Sequence, residues 1–573
     1  MMVAMDAVDL LLDHIAQAVP DTRAQLRQLK TRVASHTRAP FIRNDALLAR
    51  YRFDVARGTR LLNRRLERML TLNGIRSQSG IATVTVITEP YACPGRCVYC
   101  PTETRAPKSY LTNEPAVMRA LRNDYDPYRQ VRSRLDALED TGHPTDKIEL
   151  IIKGGTWSFY PERYQREFIR RCFDAANDFA RGARLTDRAT STPQPQASGV
   201  APEALLEQAQ RMNETASQRI IGITIETRPD YIDEDEIRRL RELGVTRVEL
   251  GVQTLEERVL ERIVRDHGAA EVRRATHLLK DAGFKVAYHV MPNLPGATPE
   301  SDLESLRTLF EDPAYRPDTM KLYPCVVIET AELFQWWKEG RYQPYDDETL
   351  IELLIRMKQL VPPYVRIERV IRDIPSTSIQ AGCQVTNLRE EVARRMRERG
   401  LRCRCIRCRQ VREHVSGEFT LVRRTYDASG GMELFLSFED PRADQLASLL
   451  RLRIPSHRAR ETPGSPALSH AALVRELHSY GPHVPLRERR EGAVQHYGFG
   501  RRLLEEAERI ARDEFGIRRM AVIAGVGARE YYRRLGYELE ETYMVKSLGL
   551  LPRSRPSSPQ GRGGVDPHDG GTP

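Results

Sequence analysis

Nowhere in its 573 residues does this chain run to eighteen apolar residues, so it offers no candidate for a membrane-spanning helix. Basic charge is missing from the start as well. Asp6, Asp9 and Asp13 stand where a secretory signal would carry lysine or arginine, and a cytoplasmic protein is expected. Cysteine is scarce: of nine, six fall into two tight triplets, Cys93, Cys97, Cys100 and Cys403, Cys405, Cys408. That distribution suits metal ligands in a reducing compartment and argues against a disulfide framework. Two stretches are nearly bare of apolar side chains, Arg181 to Pro202 and Leu551 to Pro573, and both read as loop or disorder. The remainder is too long for one core, so two or three domains are expected.

Acidic charge is also short, and unevenly so. The net charge is +10, and residues 1–80 carry 14 basic against 7 acidic side chains. Leu61, Leu62, Leu66 and Leu70 follow a helical spacing there. A basic helical extension facing RNA is the expectation, with a merely solvated basic face as its alternative.

The first cysteine triplet follows an apolar run, Ala82 to Ile87, that reads as a short buried strand and is ended by Pro90. The thiols therefore sit on a loop. Spaced C-x3-C-x2-C, three thiolates can hold three irons of a 4Fe-4S cluster and leave the fourth iron open to a ligand. A structural zinc loop is the alternative, but zinc asks for a fourth donor close by. The spacing resembles the radical SAM signature. That likeness implies S-adenosylmethionine on the open iron, with an aromatic at the place of Tyr99 near its adenine.

Beyond this loop, strand and amphipathic helix alternate. Strands are predicted at Lys147 to Lys153, Ile220 to Glu226, Arg247 to Val252, Lys285 to Met291 and Met320 to Val327, with helices such as Glu234 to Leu243 and Ala270 to Ala282 between them. The rhythm is that of a β/α barrel, whose chemistry gathers at the carboxyl ends of its strands. Those ends carry Gly154-Gly155-Thr156, Glu226-Thr227-Arg228, Gly251-Val252-Gln253 and His289-Val290-Met291. Gly154 and Gly155 would let backbone approach the methionine part of the cofactor, or form a simple tight turn. Glu226 is equally open to pairing with Arg228.

The second triplet, C-x-C-x2-C, is too tight for unstrained disulfides and suits zinc, with Cys383, Cys325 or a histidine as fourth donor. Free thiols and a second iron-sulfur cluster are the alternatives. Arg402, Arg404, Arg407 and Arg409 interleave with these thiols, so a knuckle presenting positive charge to RNA is expected. From about Gly417 the pattern turns to antiparallel strands, with a turn at Ser429-Gly430-Gly431 and a long hairpin connection over Pro455 to Pro466. Gln495-His496-Tyr497-Gly498-Phe499-Gly500-Arg501 then runs into a helix predicted over Leu503 to Arg512. Backbone N–H groups and a helix dipole at such a turn suit a pyrophosphate. With the strand Met520 to Ala524 and the stretch Tyr531-Tyr532-Arg533-Arg534-Leu535-Gly536-Tyr537, this end resembles the GNAT acetyltransferases, in which a closing tyrosine lies near the thioester sulfur.

The order of parts, with strings such as Tyr110-Leu111-Thr112-Asn113, Lys321-Leu322-Tyr323-Pro324 and Gly525-Val526-Gly527, is similar to the catalytic subunit family of Elongator, the tRNA uridine(34) acetyltransferases, in a single-chain bacterial or archaeal form. The resemblance implies an α/β fold: a radical SAM partial β/α barrel followed by a GNAT α/β acetyltransferase domain, with a helical basic N-terminal extension. The corresponding segments are 1–80 for a tRNA-binding extension, 81–330 for the barrel, 331–415 for a linker with a zinc knuckle, 416–548 for the acetyltransferase domain and 549–573 for a tail. It implies a 4Fe-4S cluster on Cys93, Cys97 and Cys100, S-adenosylmethionine near Gly154 and Gly155, and acetyl-CoA contacts at Lys147, Glu476, Leu477, His478, Ser479, Phe499, Gly500, Arg501 and Tyr532. Tyr531 and Tyr532 are the implied catalytic tyrosines, and zinc falls to Cys403, Cys405 and Cys408. The implied reaction is radical transfer of an acetyl-derived carbon to C5 of the wobble uridine in a tRNA anticodon stem-loop. A protein lysine acetyltransferase is the alternative from another class. Whether the chain pairs as a homodimer stays open.

Overall fold

The computed structural model describes residues 2–17, 20–38, 41–71, 80–179, 201–412, 417–457, 459, 464–481 and 498–549. Most of the polar spacer, Gln495 to Tyr497 of the glycine turn and the tail from Leu551 lie outside these residues. Among the described residues no helix is long and apolar enough to cross a membrane.

Four helices come first: α1 (Met2–Gln17), α2 (Arg23–Thr37), α3 (Asn44–Ala56) and α4 (Arg64–Leu70). Thr22 and Gln25 form a capping box that starts α2. Leu11, Leu12, Leu26, Val33, Leu47, Leu66 and Leu70 close a small core of their own. Leu61 and Leu62 do not join it. Asn63 accepts from the Arg65 and Leu66 amides and so fixes the helix start after both leucines, which stay exposed. Asp9, Asp13, Asp21, Asp45, Asp54 and Glu67 are each paired with an arginine of the same segment. The net excess of positive charge is therefore left with side chains such as Arg27 and Arg32, on the exposed side of α2.

Next come β1 (Ala82–Ile87), β2 (Lys147–Lys153), β3 (Arg219–Thr227), β4 (Arg247–Gln253), β5 (Lys285–Val290), β6 (Thr319–Leu322), a short β7 (Val327–Ile328), β8 (Arg366–Arg369) and β9 (Ile379–Ala381). All but β7 and β9 form one parallel sheet in chain order, and those two pair apart from it. An all-parallel sheet in chain order is the open barrel that the repeat predicts. Two details differ. The strand expected from Met320 to Val327 stops at Leu322, ahead of Pro324, which has no N–H for a ladder. The last strand, β8, comes from the segment expected to be linker.

The sheet's alternation places apolar residues outward and polar ones in the bore. In β2, Ile148, Leu150 and Ile152 are buried in the main core with Phe168 and Phe173, whereas Glu149, Ile151 and Lys153 line a cavity inside the barrel.

The second sheet holds β10 (Thr420–Ala428), β11 (Gly431–Asp440), β12 (Gln445–Ile454), β13 (Ala472–Ser479), β14 (Arg519–Val522), β15 (Glu538–Glu540) and β16 (Tyr543–Ser547). It is antiparallel except where β13 meets β14. That parallel pairing covers only Ala472, Leu473 and Val474, so from Arg475 onward β13 runs on without β14. A wedge opens between the two strands. Ser429 and Gly430, at φ 48° and 73°, make the tight β10–β11 turn. The helix expected from Leu503 starts earlier, spans Phe499–Arg509 and ends in a π turn over Ile510–Glu514.

The two sheets are locked together by buried charge and close backbone. Arg475 of β13 donates to Asp318, just before β6, at 2.6 and 2.9 Å, and to Glu433 of β11 at 2.8 Å. Gly525 lies so close to β3 that a Cβ there would stand 2.1 Å from the Ile221 carbonyl oxygen. Only glycine fits.

Candidate active site

The cysteine loop is pinned on both sides. The Val98 amide donates to the Ile263 carbonyl at 3.1 Å, and the Leu333 amide donates to the Val98 carbonyl at 2.8 Å. Cys93, Cys97, Cys100 and Tyr99 all face one cavity of about 470 Å³. Arg265 reaches Cys97 Sγ at 3.4 Å. A hydrogen bond from the Cys100 thiol, supported by Arg265, lowers the Cys97 thiol to about 5, so it is a thiolate at neutral pH.

Among the described residues, the two groups of ligand atoms lying within 4.8 Å of one another are Cys403, Cys405, Cys408 and Glu226, Glu249, His289; the first cysteine triplet is not one of them. Two sulfurs on one zinc can lie at most about 4.6 Å apart, twice a Zn–S bond of about 2.3 Å. In the first triplet Cys97 and Cys100 are within hydrogen-bond reach of each other, but the three sulfurs together are spread more widely than that. Cofactor space adjoins it. Gln253, at φ 70° on the end of β4, lines this cavity and keeps its side-chain oxygen buried without a partner. Gly155 and Thr156 line it too, and Thr156 Oγ1 lies 3.7 Å from Cys93 Sγ. Gly154 does not: its missing side chain makes room for Thr88, whose Oγ1 would stand 1.7 Å from a Cβ.

The cavity continues down the bore, where five strands contribute a charged network. Lys153 Nζ donates to Glu226 at 3.3 Å and to Glu249 at 3.4 Å. His289 lies between the same carboxylates, 3.3 Å from Glu226 and 2.9 Å from Glu249, while Lys321 also donates to Glu249. Tyr110 donates to Glu226 at 2.9 Å. Burial opposes ionisation of Glu226, but the Lys153 ammonium and His289 outweigh it and hold the carboxyl well below its ordinary value. Arg228 takes no part, being paired with Asp230 at 2.7 Å.

At its far end the bore meets the second sheet. Arg247 and Lys285, the first residues of β4 and β5, line the cavity with Glu476, His478 and Tyr480 of β13 and its end. A second cavity of about 460 Å³, in the wedge beside β13, shares Glu149, Arg247, Lys285, Glu476 and His478 with the first. Lys147, Leu477, Tyr531 and Tyr532 line the second one as well. Burial lowers the Lys147 ammonium and raises the Tyr532 hydroxyl, which therefore stays a neutral donor at physiological pH. Gly500 faces the same place, since a Cβ there would stand 3.4 Å from the Tyr531 hydroxyl.

Three expected contacts turn elsewhere. Phe499 stacks on Phe438 at 4.3 Å in the core, Arg501 pairs with Glu505 at 2.7 Å in solvent, and the Ser479 hydroxyl bonds Ser448 at 2.9 Å. None of the three lines the wedge cavity.

Residues 90–309 match the Radical SAM superfamily and residues 317–398 the Radical_SAM C-terminal domain, which accounts for β8 beyond the expected barrel boundary. A tRNA uridine(34) acetyltransferase of Dehalococcoides mccartyi is 48% identical over 478 residues, 82% of this chain and 99% of that protein. One from Methanocaldococcus jannaschii is 44% identical over 83% of this chain and 86% of its own length. The solved structure of the archaeal Methanocaldococcus infernus Elp3 with N-terminus deletion superposes with a TM-score of 0.68 at 41% identity, covering 82% of this chain and all 100% of that one. The chain belongs to the tRNA uridine(34) acetyltransferase family.

In this uridine(34) acetyltransferase family member the second cysteine triplet is a compact donor set. Hydrogen bonds from Cys403 and Cys408 push the Cys405 thiol well below its ordinary value, as a thiolate ligand needs. Neither Cys325, beside Tyr342, nor Cys383, beside Asp347, belongs to the group. The interleaved arginines split. Arg402 and Arg404 are exposed, Arg407 lines the bore, and Arg409 turns inward to Glu439 at 2.9 Å. Sequence reasoning missed a recurring signal: Lys147, Arg219, Arg247 and Lys285 each open one of four successive strands, and all four line the wedge cavity.

Proposed function

We propose that this chain is a tRNA uridine(34) acetyltransferase that attaches an acetyl-derived two-carbon unit, through its methyl carbon, to C5 of the wobble uridine. The observation that carries the reading is the adjacency of the two cavities: the one faced by the cysteine loop and the wedge beside β13 share Glu149, Arg247, Lys285, Glu476 and His478 as a common wall. Cys93, Cys97 and Cys100 would hold a 4Fe-4S cluster, with S-adenosylmethionine between it, Gly155 and Gln253. Reductive cleavage of that cofactor supplies a primary carbon radical able to take hydrogen from an unactivated methyl group.

The chain's own residues do the rest. Lys147 and Arg219 would bring positive charge to the phosphates of acetyl-CoA, while Arg247 and Lys285 are held by Glu249 and Glu476, and the amides at the start of helix Phe499–Arg509 add a helix dipole. Leu477 and His478 would flank the pantetheine arm. Tyr532, buried and neutral, would donate to the thioester, with Tyr531 beside it at the wedge mouth. The acetyl group is thereby pointed into the bore, away from water. The anticodon stem-loop of tRNA would insert its unstacked base into the same space, and exposed arginines of the N-terminal helices would meet its phosphates. Cys403, Cys405 and Cys408 would hold a structural zinc, and the protein would work in the cytoplasm. A protein lysine acetyltransferase would leave the charged bore and the cysteine loop without a use. The deciding experiment is mass analysis of tRNA after anaerobic incubation with the reduced, cluster-loaded protein, acetyl-CoA and S-adenosylmethionine. A carboxymethyl-type uridine at position 34 is expected, and unchanged tRNA with acetylated protein would reverse the assignment.

A further inference from the structure

The charged network in the bore is more elaborate than a fold needs. Glu226, Glu249 and His289 could by spacing hold a metal ion, but Lys153 lies 3.3 and 3.4 Å from the two carboxylates and Lys321 bonds Glu249, so positive charge is already in place. Glu249 is fully buried and saturated by Arg247, His289, Lys153 and Lys321. Glu226 is different. Its side chain keeps 22% of its surface exposed, facing the cavity, and Lys153 beside it keeps 16%. A carboxylate has about four acceptor directions and an ammonium three donors. Tyr110, Lys153 and His289 occupy three of the first, Glu226 and Glu249 two of the second. One acceptor on Glu226, at Oε1, and one donor on Lys153 therefore remain, on two paired groups that both line the cavity.

We propose that Glu226 and Lys153 read the Watson–Crick edge of uracil: Glu226 accepts from N3–H while Lys153 donates to the adjoining carbonyl oxygen. The inference rests on the tRNA uridine reading above and adds to it the groups that select the base. Cytosine held with its C5 at the same point would set the N3 lone pair against the carboxylate. A buried site built to bond one group rejects the analogue lacking it, because its own polar atoms are then left unpaired. Both side chains hold the charge that such pairing requires. Glu226 stays ionised, hence acceptor-only, and Lys153 stays protonated because Glu226 and Glu249 outweigh its burial.

The test uses the full-length, cluster-loaded protein and anticodon stem-loops carrying uridine, cytidine or N3-methyluridine at position 34. Wild-type protein should modify the uridine stem-loop with kcat/KM at least about tenfold above the N3-methyl one. Glu226→Gln, whose amide can present either a donor or an acceptor, should lose at least about tenfold on uridine and bring the uridine-to-cytidine ratio close to one. Equal use of uridine and N3-methyluridine by wild-type protein would overturn the assignment, and that arm needs no variant to fold. So would Glu226→Gln with an unchanged uridine-to-cytidine ratio but weakened S-adenosylmethionine binding, which would give the carboxylate to the cofactor. Failure of wild-type protein on the uridine stem-loop itself would instead overturn the acetyltransferase reading.

Discussion

Lys285, the first residue of β5, donates a 2.7 Å hydrogen bond to Glu476 of β13, joining the barrel to the second sheet at the point where the two cavities meet. Arg451 holds the other oxygen of the same carboxylate at 2.8 Å. One carboxylate thus carries both the interface and the wall between the two chambers. Lys285→Met leaves Glu476 with Arg451 alone in a buried setting, and should lower the unfolding free energy by about 3 kcal/mol, the lower end of the range for breaking a buried pair. Denaturant unfolding would measure it. A loss under about 1 kcal/mol would mean that solvent screens the pair.

Acid should loosen the same interface. Burial opposes ionisation of Glu476, Asp318 and Glu433, but Lys285 and Arg451, Arg475 and Lys280, and Arg475 respectively outweigh it, so all three carboxyls titrate below their ordinary values of 4.5, 3.8 and 4.5. In the unfolded chain they take up protons near those ordinary values. Below about pH 4.5 the unfolded state therefore binds more protons than the folded one, and stability falls as pH falls. Melting temperature measured from about pH 6 to pH 3.5 should drop steeply in the lower half of that range, and less steeply for Glu476→Gln.

The two cysteine triplets should answer separately to metal analysis. Cys97→Ala removes the buried thiolate of the first loop and should lower iron content while zinc stays near its wild-type level. Cys405→Ala should lower zinc and thermal stability together and spare iron, since a closed zinc site contributes folding free energy. Parallel loss of both metals in either variant would show that the two sites form one folding unit.

Much of this arrangement was legible in the chain, and the part that was not has a common cause. The cysteine loop is local: three thiols within eight residues, after a strand and before Pro101, carry their geometry in their spacing. The strand and helix alternation is equally local. The bore is not. Lys153, Glu226, Glu249, His289 and Lys321 lie on five strands and meet only because the parallel registers set Glu226 beside Glu249 and His289 beside Lys321, with the two pairs on neighbouring inward positions. Arg409 likewise reads as a surface charge until Glu439 of β11 draws it inward, and Phe499 as a cofactor contact until Phe438 stacks on it. Side chains claimed by a distant partner cannot be assigned from their neighbours in sequence.

Binding of tRNA should weaken steeply with salt, because each phosphate neutralised releases counterion. In the N-terminal segment Asp9, Asp13, Asp21, Asp45, Asp54 and Glu67 are each tied to an arginine of the same segment, which leaves the excess cations to act on a partner. Deleting residues 1 to about 75 should flatten the slope of log affinity against log salt. An unchanged slope would assign the RNA contacts to the rest of the chain.

The coupling of the two chambers has the sharpest consequence. If hydrogen is taken from the acetyl methyl group, acetyl-CoA deuterated at that methyl should place deuterium in 5′-deoxyadenosine. Both cavities must then be filled at once, because Glu476 and His478 border both and the methyl has to project from one into the other. Gly500→Glu should abolish the transfer: a Cβ there already stands 3.4 Å from the Tyr531 hydroxyl, and a carboxylate at the start of helix Phe499–Arg509 would repel the pyrophosphate. Cys100→Ala should abolish it equally while acetyl-CoA binding survives, since the wedge is built from other elements. Unlabelled 5′-deoxyadenosine alongside modified uridine would sink the idea, for it would mean that the radical takes its hydrogen elsewhere and that the shared wall between the chambers serves only to hold them together.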